Sequence, residues 1–480
     1  MLINAETLLQ YQRCQRRPYL DANNEKRQRD TPNDLLVKLQ KDKTTHKVNI
    51  VQQFSFQRPR FPKGNWKAGY EATLELMQQG VECIYEGVLL VTHSEGYTLL
   101  SRPDVLYKQR GQSCFGNWQY IPADIELGKR PKQEYQVVMS FHAEILSEIQ
   151  QSEVDRAWLM LRNKEAGYEV DLFKWIPKMY EVLNGCIKTL KSKQPPELFI
   201  SRQRCSLCHW HSSCYTFAAA QRHLSLLPGV TPGRYDQLKT LNITTLERLA
   251  NTPPEELEYL VGFNEEVATK LIIQAQSVLD NRPRILPTAL SKEELTYTAP
   301  IELYFDIEAE PDLHVNFLLG VLVVDREKGT ETFHSLLAER PEEEGKVWQQ
   351  FLDLVWQYPH APIYHFCVFE LDTVKKLAKT YQTPQHLIQP VIERFLDIYE
   401  QLLQSTALPL ESYALKAIAK WLGFQWRDKD ASGAKCIDWY DQWLKTGDRS
   451  LLEIIERYNE DDCKATRSVK DWLVNFFMNH

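Results

Sequence analysis

The chain has 480 residues, of which 43% are hydrophobic and 25% charged, and its formal net charge at pH 7 is −7. This length allows two to four domains with separate cores, and the composition is that of an ordinary globular protein. The negative charge excludes a wholly basic nucleic-acid coat but not a local basic surface. Because there is no apolar run of membrane-span length and no signal-peptide pattern, we expect a cytoplasmic protein without membrane contact.

The first 222 residues contain cysteines whose spacing predicts a metal centre. Three of them form a C-x2-C-x5-C cluster: Cys205, Cys208 and Cys214. Two thiolates three positions apart can chelate one centre, and a third close by closes its face. Cys14 is the candidate for the fourth ligand, and would join the two ends of one domain. A zinc site completed by His209 or His211 is the alternative.

Between the cysteines, two apolar segments over residues 86–93 and 97–106 predict a hairpin. A further strand-like segment, residues 120–129, precedes an amphipathic helix from about residue 136 to 149. This order resembles the RecB-like nucleases of the PD-(D/E)XK fold, as in the AddB and Cas4 relatives. The resemblance implies a 4Fe–4S cluster held by Cys14, Cys205, Cys208 and Cys214. It also implies that Asp104 is the first metal-binding Asp and Asp124 the Asp of Asp-x-Lys.

This second possible nuclease site departs from the family pattern at several positions. Glu126 occupies the lysine position, where a carboxylate can neither position water nor stabilise a phosphorane. Lys129 could replace that lysine, although it lies on the opposite face if the strand continues. His46, in a helical stretch over residues 34–53, matches the upstream metal-binding His, but Lys47 follows where Glu is common. We therefore expect a degenerate site, with an active one as the open alternative.

Residues 223–290 predict a small helical module with two glycine turns. Leu227-Pro-Gly229-Val230 and Leu260-Val-Gly262-Phe263 are two copies of an apolar-x-Gly-apolar pattern, each ahead of a helix start. Glycine permits a tight turn, and the following helix N-terminus offers free amides to an anion. The pattern resembles tandem helix-hairpin-helix motifs, which implies contacts from Gly229 and Gly262 to a nucleic-acid backbone. A helical packing module without nucleic acid is the alternative.

Residues 291–480 contain a carboxylate pattern typical of a metal site. The apolar run Ile301–Glu310 predicts a strand on which Asp306 and Glu308 point to the same side. A strand-like segment over residues 364–370 delivers Glu370. Further on, Tyr458 and Asp462 lie four apart on one face of a predicted helix. Oxygen-only ligands favour Mg²⁺ or Mn²⁺.

These motifs resemble the DEDD 3′–5′ exonucleases of the RNase H-like fold, with Asp306 and Glu308 as the first motif and Tyr458 with Asp462 as the third. The second motif departs from the pattern, because His365 stands at an Asn position and Glu370 at an Asp position. The segments SYALKAIAKWLGF, DASGA and YNEDDCKAT resemble the RNase H-like domain of YprB type, which follows an iron–sulfur RecB-like domain in a family of bacterial nucleases. The fold class is therefore multidomain α/β.

The resulting expectation is a metal-dependent nuclease, most simply an exonuclease, whose C-terminal catalytic residues are Asp306, Glu308, Glu370, Tyr458 and Asp462. Tyr458 is the first candidate to orient the attacking water, and His365 the second. The expected partner is DNA or RNA, single-stranded or with free ends, and a helicase in trans is conceivable. Two alternatives stay open: an inactive nucleic-acid-binding scaffold, and a nuclease active in its N-terminal domain through Lys129.

Overall fold

The computed structural model describes residues 1–93, 95–162 and 167–480. The chain forms two compact units. The first comprises residues 1–198 and 202–215, and the second comprises residues 199–201 and 216–480. The segment predicted as a helical module lies within the second unit. In the described ranges, every helix is too short or too polar to cross a membrane.

The regular elements of residues 1–220 are as follows. The strands are β1 (Leu2–Asn4), β2 (Cys83–Tyr85), β3 (Leu89–His93), β4 (Tyr97–Ser101), β5 (Val105–Ser113), β6 (Gly116–Glu126), β7 (Trp158–Leu161) and β8 (Tyr168–Glu169). The helices are α1 (Ala5–Arg13), α2 (Arg16–Asn23), α3 (Asp34–Val51), α4 (Trp66–Gln78), α5 (Gln133–Gln150), α6 (Leu172–Lys191), α7 (Arg202–Cys205) and α8 (His211–Ala220).

The first unit contains a five-stranded sheet of order β2-β5-β6-β7-β8 and a three-stranded sheet of order β1-β4-β3. The predicted hairpin is confirmed, because β3 and β4 pair antiparallel. However, β4 ends at Ser101, and Asp104 immediately precedes β5. The predicted amphipathic helix is α5, whose apolar side chains are buried in the core of this unit.

The regular elements of residues 221–480 continue the numbering. The strands are β9 (Arg284–Ile285), β10 (Ile301–Glu310), β11 (Val315–Asp325), β12 (Thr330–Leu337), β13 (Ile363–His365), β14 (Phe395–Asp397) and β15 (Thr406–Ala407). The helices are α9 (Pro232–Thr240), α10 (Leu246–Ala250), α11 (Pro254–Leu257), α12 (Glu265–Asp280), α13 (Lys292–Leu295), α14 (Glu344–Gln357), α15 (Phe369–Thr380), α16 (Gln385–Ile392), α17 (Ile398–Ser405), α18 (Leu415–Trp421), α19 (Gly433–Thr446) and α20 (Arg449–Met478).

Helices α9 to α12 pack around one small apolar core. The two predicted helix starts are present: the side chain of Thr231 caps α9, and that of Asn264 caps α12. Residues 281–287 contain β9, which pairs antiparallel with β15. This pairing across more than 100 residues leaves no local signal at Pro283 and Pro287.

The main sheet of the second unit has the order β12-β11-β10-β13-β14. Strand β10 pairs antiparallel with β11 and parallel with β13. Its residues alternate between two environments, as expected of a strand with helices on both sides. The apolar face packs on α14, where the rings of Phe305 and Phe351 are 4.8 Å apart. The other face carries polar side chains towards α20, as the ion pair between Glu302 and Lys470 demonstrates.

Candidate metal centre

Three carboxylates of the second unit converge on one point. One ligand oxygen from each of Asp306, Glu308 and Asp462 lies within 4.8 Å of the others. Glu308 and Asp462 are buried, and Asp306 is partly buried. Strand β10 supplies the first two and helix α20 supplies the third, as the sequence predicted. Side chains on β10 alternate between the two faces of the strand, and the polar face is buried against α20. This arrangement brings the distant residues together.

The backbone of β10 is irregular at this point. Its pairing register with β11 shifts between Glu308 and Ala309. A bulge of this kind bends a strand and changes the direction of the side chains beside it. The shift follows Glu308 directly, so the regular pairing of β10 with β11 is interrupted beside the carboxylate cluster.

Two polar side chains, one from a loop and one from α20 itself, donate hydrogen bonds to the carboxylates. The indole Nε1–H of Trp426 donates to Asp462 Oδ1 at 2.7 Å, and Asn459 Nδ2 donates to Asp306 Oδ2 at 2.7 Å. Asn459 is completely buried against Gly320 of β11, where an added Cβ would stand 1.6 Å from Asn459 Oδ1. Glycine at this position is therefore what allows Asn459 to reach Asp306.

Glu370 lies close to the three carboxylates but is delivered differently from the prediction. Strand β13 ends at His365, and Glu370 belongs to the first turn of α15, so the strand-borne placement was wrong. Its side chain is buried, and Oε2 accepts no hydrogen bond from the described residues. Because a buried carboxylate oxygen without a donor is costly, this atom is suited to a cation. His365 Nδ1 is 3.6 Å from it and 2.6 Å from the Cys367 carbonyl oxygen.

The electrostatics of the cluster favour binding of positive charge. The pKa of Asp306 is raised well above its ordinary value, first by burial and then by the negative charges of Asp462, Glu308 and Glu370. Burial raises the pKa of Asp462 to about 6, although the hydrogen bond from Trp426 and the charge of Lys416 oppose the rise. Such shifts arise when several carboxylates share a desolvated site, and a divalent cation would relieve their repulsion.

Two further side chains border the cluster. The pKa of Tyr458 is raised, first by burial and then by the charges of Asp462, Glu308 and Asp306. Its hydroxyl therefore stays protonated. That hydroxyl hydrogen-bonds to Asp462. Lys416 Nζ lies 4.6 Å from the centre of the Tyr458 ring and donates to the carbonyl oxygen of Ala431 at 2.6 Å.

Three of these groups were not foreseen as site residues: Lys416, Trp426 and Asn459. Asn459 follows the predicted Tyr458 directly, and Lys416 lies in a segment that carried the family resemblance, so each had a signal in the sequence. Trp426 had none, because its loop reaches Asp462 only through tertiary packing.

The residues of the second possible nuclease site are only partly brought together. Asp104 and Asp124 are adjacent, since the backbone N–H of Asp104 donates to Asp124 Oδ1 at 3.0 Å. Glu126 ends β6, and His46 lies on α3, where its Nε2 has no partner among the described residues. Lys129 is exposed in the bend that follows β6.

The predicted cysteine ligands lie in one region of the first unit. Burial raises the pKa of Cys214, Arg16 opposes the rise, and Cys208 and Cys14 add to it, so these three thiols are electrostatic neighbours. Cys208 follows Cys205 in a tight turn in which its N–H donates to the Cys205 carbonyl oxygen at 3.0 Å. Cys208 and Cys214 pack against a small apolar cluster around the buried Trp210.

The histidines offered as zinc ligands differ in their surroundings. His209 Nε2 is 2.7 Å from Asp21 Oδ1, and His209 Nδ1 is 3.4 Å from Arg17. Both ring nitrogens are therefore occupied, which favours an all-cysteine ligand set over one that includes His209. The ring of His211 lies 5.8 Å from that of Tyr215.

The two glycine turns of the helical module lie side by side. Gly229 and Gly262 both have left-handed φ angles, 90° and 84°, which glycine adopts without strain. Arg234 joins the turns, because its Nη1 donates to the Gly229 carbonyl oxygen at 2.8 Å and its Nε to the Gly262 carbonyl oxygen at 3.0 Å. Tyr259 and Val261, beside the second turn, are strongly exposed.

Comparison with known proteins places the site in a class. Residues 303–474 match the family model RNase_H_2, described as the RNase_H superfamily. This segment contains Asp306, Glu308, Glu370 and Asp462, so the C-terminal part of the chain is an RNase H-like domain, consistent with a nuclease-type hydrolase that acts on nucleic acid. RNase H-like nucleases typically use Mg²⁺ or Mn²⁺.

The remaining comparisons add no further assignment. Among solved structures, one described as "Crystal structure of SSO0001" aligns over 45% of this chain and 86% of its own, with 11% sequence identity and a TM-score of 0.21. A likeness this weak carries no argument. The comparison with curated proteins gave no match.

Proposed function

We propose that the protein is a metal-dependent exonuclease of DEDD type whose active site is the carboxylate cluster of the RNase H-like domain. The observation that carries the proposal is the convergence of Asp306, Glu308 and Asp462 within 4.8 Å. The unpartnered Oε2 of buried Glu370 supplies the fourth carboxylate. An all-oxygen donor set of this kind fits Mg²⁺ or Mn²⁺.

The catalytic roles would be shared between bound cations and side chains of the RNase H-like domain. Bound divalent cations would supply an activated water and stabilisation of the leaving oxygen. Asp306, Glu308, Glu370 and Asp462 would hold them. The protonated hydroxyl of Tyr458 orients the attacking water through a hydrogen bond. His365 lies beside Glu370, since its Nδ1 is 2.6 Å from the Cys367 carbonyl oxygen and 3.6 Å from Glu370 Oε2, and it is the second candidate to orient the water.

The first unit is proposed to be a RecB-like domain of PD-(D/E)XK type with a structural iron–sulfur cluster. Its support is the grouping of Cys14, Cys208 and Cys214 and the occupied ring nitrogens of His209. When bound, a 4Fe–4S cluster would join the two ends of this unit. The chain's own contribution is thiolate ligation and the apolar shield around Trp210.

The helical module is proposed to bind the nucleic-acid backbone as tandem helix-hairpin-helix motifs. Its support is the pair of left-handed glycine turns held together by Arg234. Backbone amides at such turns contact phosphates without reading sequence. The substrate is accordingly DNA or RNA with a free end, and a helicase acting in trans would supply such ends.

The test uses anaerobically purified protein with Mn²⁺ or Mg²⁺ and single-stranded DNA or RNA labelled at either end. We expect cutting that Asp306→Ala abolishes and Asp104→Ala leaves intact, with a ladder that gives the polarity. Loss with Asp104→Ala alone would move the catalyst to the first unit. A wild-type protein that binds these strands but never cuts them would instead be a scaffold.

A further inference from the structure

The first unit has its own group of buried acids, formed by Asp104, Asp124 and Glu126. Asp104 precedes β5, and the other two lie on β6 two residues apart, so they share one face of that strand. A divalent cation is what the PD-(D/E)XK resemblance implies at this position. Whether these residues fit a cation depends on whether their oxygens are free to ligate it.

The oxygens of this acid group already have donors. Asp104 Oδ1 contacts Lys47 Nζ, and Asp104 Oδ2 accepts the backbone N–H of Ile125 at 2.8 Å. Asp124 Oδ1 accepts the N–H of Asp104 at 3.0 Å, and Asp124 Oδ2 lies 3.3 Å from His142 Nε2. The ammonium group of Lys43 reaches Glu126 Oε1 at 2.9 Å and Oε2 at 3.0 Å.

The contrast with the second unit is direct. There, Glu370 keeps an oxygen without a donor, and three ligand atoms come within 4.8 Å of one another. Among the residues that the structure describes, Asp104, Asp124 and Glu126 do not form such a group. The acids of the first unit are arranged around lysines and not around a common empty point.

Both lysines come from α3. Lys43 and Lys47 are four residues apart, so their side chains lie on one face of the helix. Only Val51 of α3 is buried, at the C-terminal end of the helix. Val51 packs in a small apolar cluster with Val105 of β5 and Ala123 of β6, and the ion pairs with Asp104 and Glu126 add a polar attachment of α3.

We propose that Lys43 and Lys47 take the place of a divalent cation, so that the acid group of the first unit is paired with ammonium groups of the chain itself and binds no metal. Two ammonium groups supply the same charge as one divalent ion. They are covalently part of the chain, so this pairing does not depend on metal supply. Within the part of the chain that the structure describes, the divalent-metal centre is then that of the RNase H-like domain.

The test measures Mn²⁺ binding by isothermal titration and electron paramagnetic resonance in an Asp306→Asn/Asp462→Asn background, which removes the carboxylates of the other centre. With native lysines, we expect that adding Asp104→Asn leaves the Mn²⁺ stoichiometry unchanged. Replacing both lysines, with Lys43→Ala and Lys47→Ala, should create one additional Mn²⁺ site that Asp104→Asn removes again. Lys41→Ala, on the same helix, is the matched control and should create none.

Two outcomes would overturn the proposal. The first is a loss of bound Mn²⁺ on adding Asp104→Asn while the lysines are native, which would mean that the site holds metal as it stands. The second is a folded double-lysine variant, checked by circular dichroism, that gains no Mn²⁺. If the double variant does not fold, the Asp104→Asn comparison with native lysines decides alone. Neither outcome depends on nuclease activity, so it is separable from the proposed function.

Discussion

Asp306 lies at the centre of the carboxylate cluster, and its replacement should separate activity from stability. We expect Asp306→Asn to lower the cutting rate by at least about 100-fold, because a cation ligand is lost. At pH 7.5 and without metal, we expect the free energy of unfolding to rise by about 1–2 kcal/mol, since the amide removes one charge from a desolvated, repelling group. Calorimetry in the presence of chelator measures the second effect.

The sign of the pH dependence follows from the same shifts. Asp306 and Asp462 have pKa values raised in the folded protein, to about 6 for Asp462. Their contribution to stability is complete below the unfolded pKa of about 4 and is lost as the pH rises through the folded value. The stabilisation by Asp306→Asn should therefore be largest near pH 7.5 and vanish near pH 4. An advantage that grows in acid would contradict this electrostatic account.

Gly320 lies against Asn459, whose side chain donates a hydrogen bond to Asp306. Replacing Gly320 tests whether this contact positions Asp306. In Gly320→Ala the new methyl group would stand 1.6 Å from Asn459 Oδ1, so Asn459 must move and release Asp306. We expect a loss of about 1–3 kcal/mol from overpacking and a 10- to 100-fold loss of activity, about the effect of removing a group that holds a metal ligand. Urea unfolding and the labelled-strand assay measure the two.

Gly433→Ala is the matched control, since an added Cβ there meets no atom within 4 Å and the position begins a helix. We expect its stability to change by less than about 0.5 kcal/mol. Equal effects of the two substitutions would mean that the contact between Gly320 and Asn459 does not position Asp306.

The acids of the cluster could be predicted because their spacing matches the period of the element that carries them. Asp306 and Glu308 follow the two-residue repeat of a strand, and Tyr458 and Asp462 the four-residue neighbourhood of a helix. Asn459 and Gly320 could not be paired in this way, because their contact joins two elements 139 positions apart in sequence. Nothing local in either segment specifies it.

Helix α20 is joined to β10 by a buried ion pair below the cluster. Lys470 Nζ is 2.6 Å from Glu302 Oε1, and both side chains are almost completely buried. In Lys470→Met, Glu302 keeps Arg326, the Tyr304 hydroxyl and the backbone N–H of Ala299 as partners. We expect a loss of about 2–3 kcal/mol in urea unfolding, less than the 3–5 kcal/mol for a buried charge left alone.

The pH dependence of the stability lost in Lys470→Met tests whether that loss is electrostatic. Burial works to raise the pKa of Glu302, but hydrogen bonds from Lys470, Tyr304 and Arg326 lower it overall. Its stabilisation is therefore present above the unfolded pKa of about 4.3 and is lost as the pH falls through the folded value. The effect of Lys470→Met should shrink in acid, and Glu302→Gln should recover part of it at neutral pH. A pH-independent loss would indicate packing alone.

The elements themselves were predicted with uneven success. Strand β10 and the helix that carries Tyr458 and Asp462 follow from a long apolar run and a clear helical pattern. The segment over residues 364–370 was taken as one strand because it is apolar throughout, yet it breaks at Cys367, whose φ is 78°. That turn is held by the side chain of Asp397, which accepts the Cys367 N–H at 3.0 Å. A residue 30 positions away thus decides where α15 begins.

At the scale of the whole molecule, the acids of the RNase H-like domain are proposed to bind metal and those of the first unit to pair with lysines. The sequence distinguishes these two groups only in part. Glu126 at the lysine position gave reason to expect a degenerate site in the first unit. The lysines that complete that group come from α3, 83 and 57 positions before their partners Glu126 and Asp104. Because this pairing depends on how α3 lies against β6, composition and spacing could not reveal it.

Cysteine substitutions test whether the first unit holds an iron–sulfur cluster. Cys14 follows α1 and Cys214 lies on α8, so a shared cluster would close nearly the whole unit into one loop. We expect about four irons per chain after anaerobic purification. Cys14→Ser should lose most of them and lower the melting temperature of the first unit, because metal binding there is folding energy. Cys114→Ser, at an exposed position between β5 and β6, is the matched control and should retain the iron.

Activity provides the second readout of these cysteine variants. If the cluster is structural and the catalyst lies in the RNase H-like domain, Cys14→Ser should keep its cutting rate per folded chain while losing iron, and Asp306→Asn should show the reverse. Iron retained in Cys14→Ser would assign the fourth ligand elsewhere. One zinc per chain in place of iron would replace the cluster by a tetrahedral site, and since both His209 nitrogens are occupied, its fourth ligand would be Cys14 or His211.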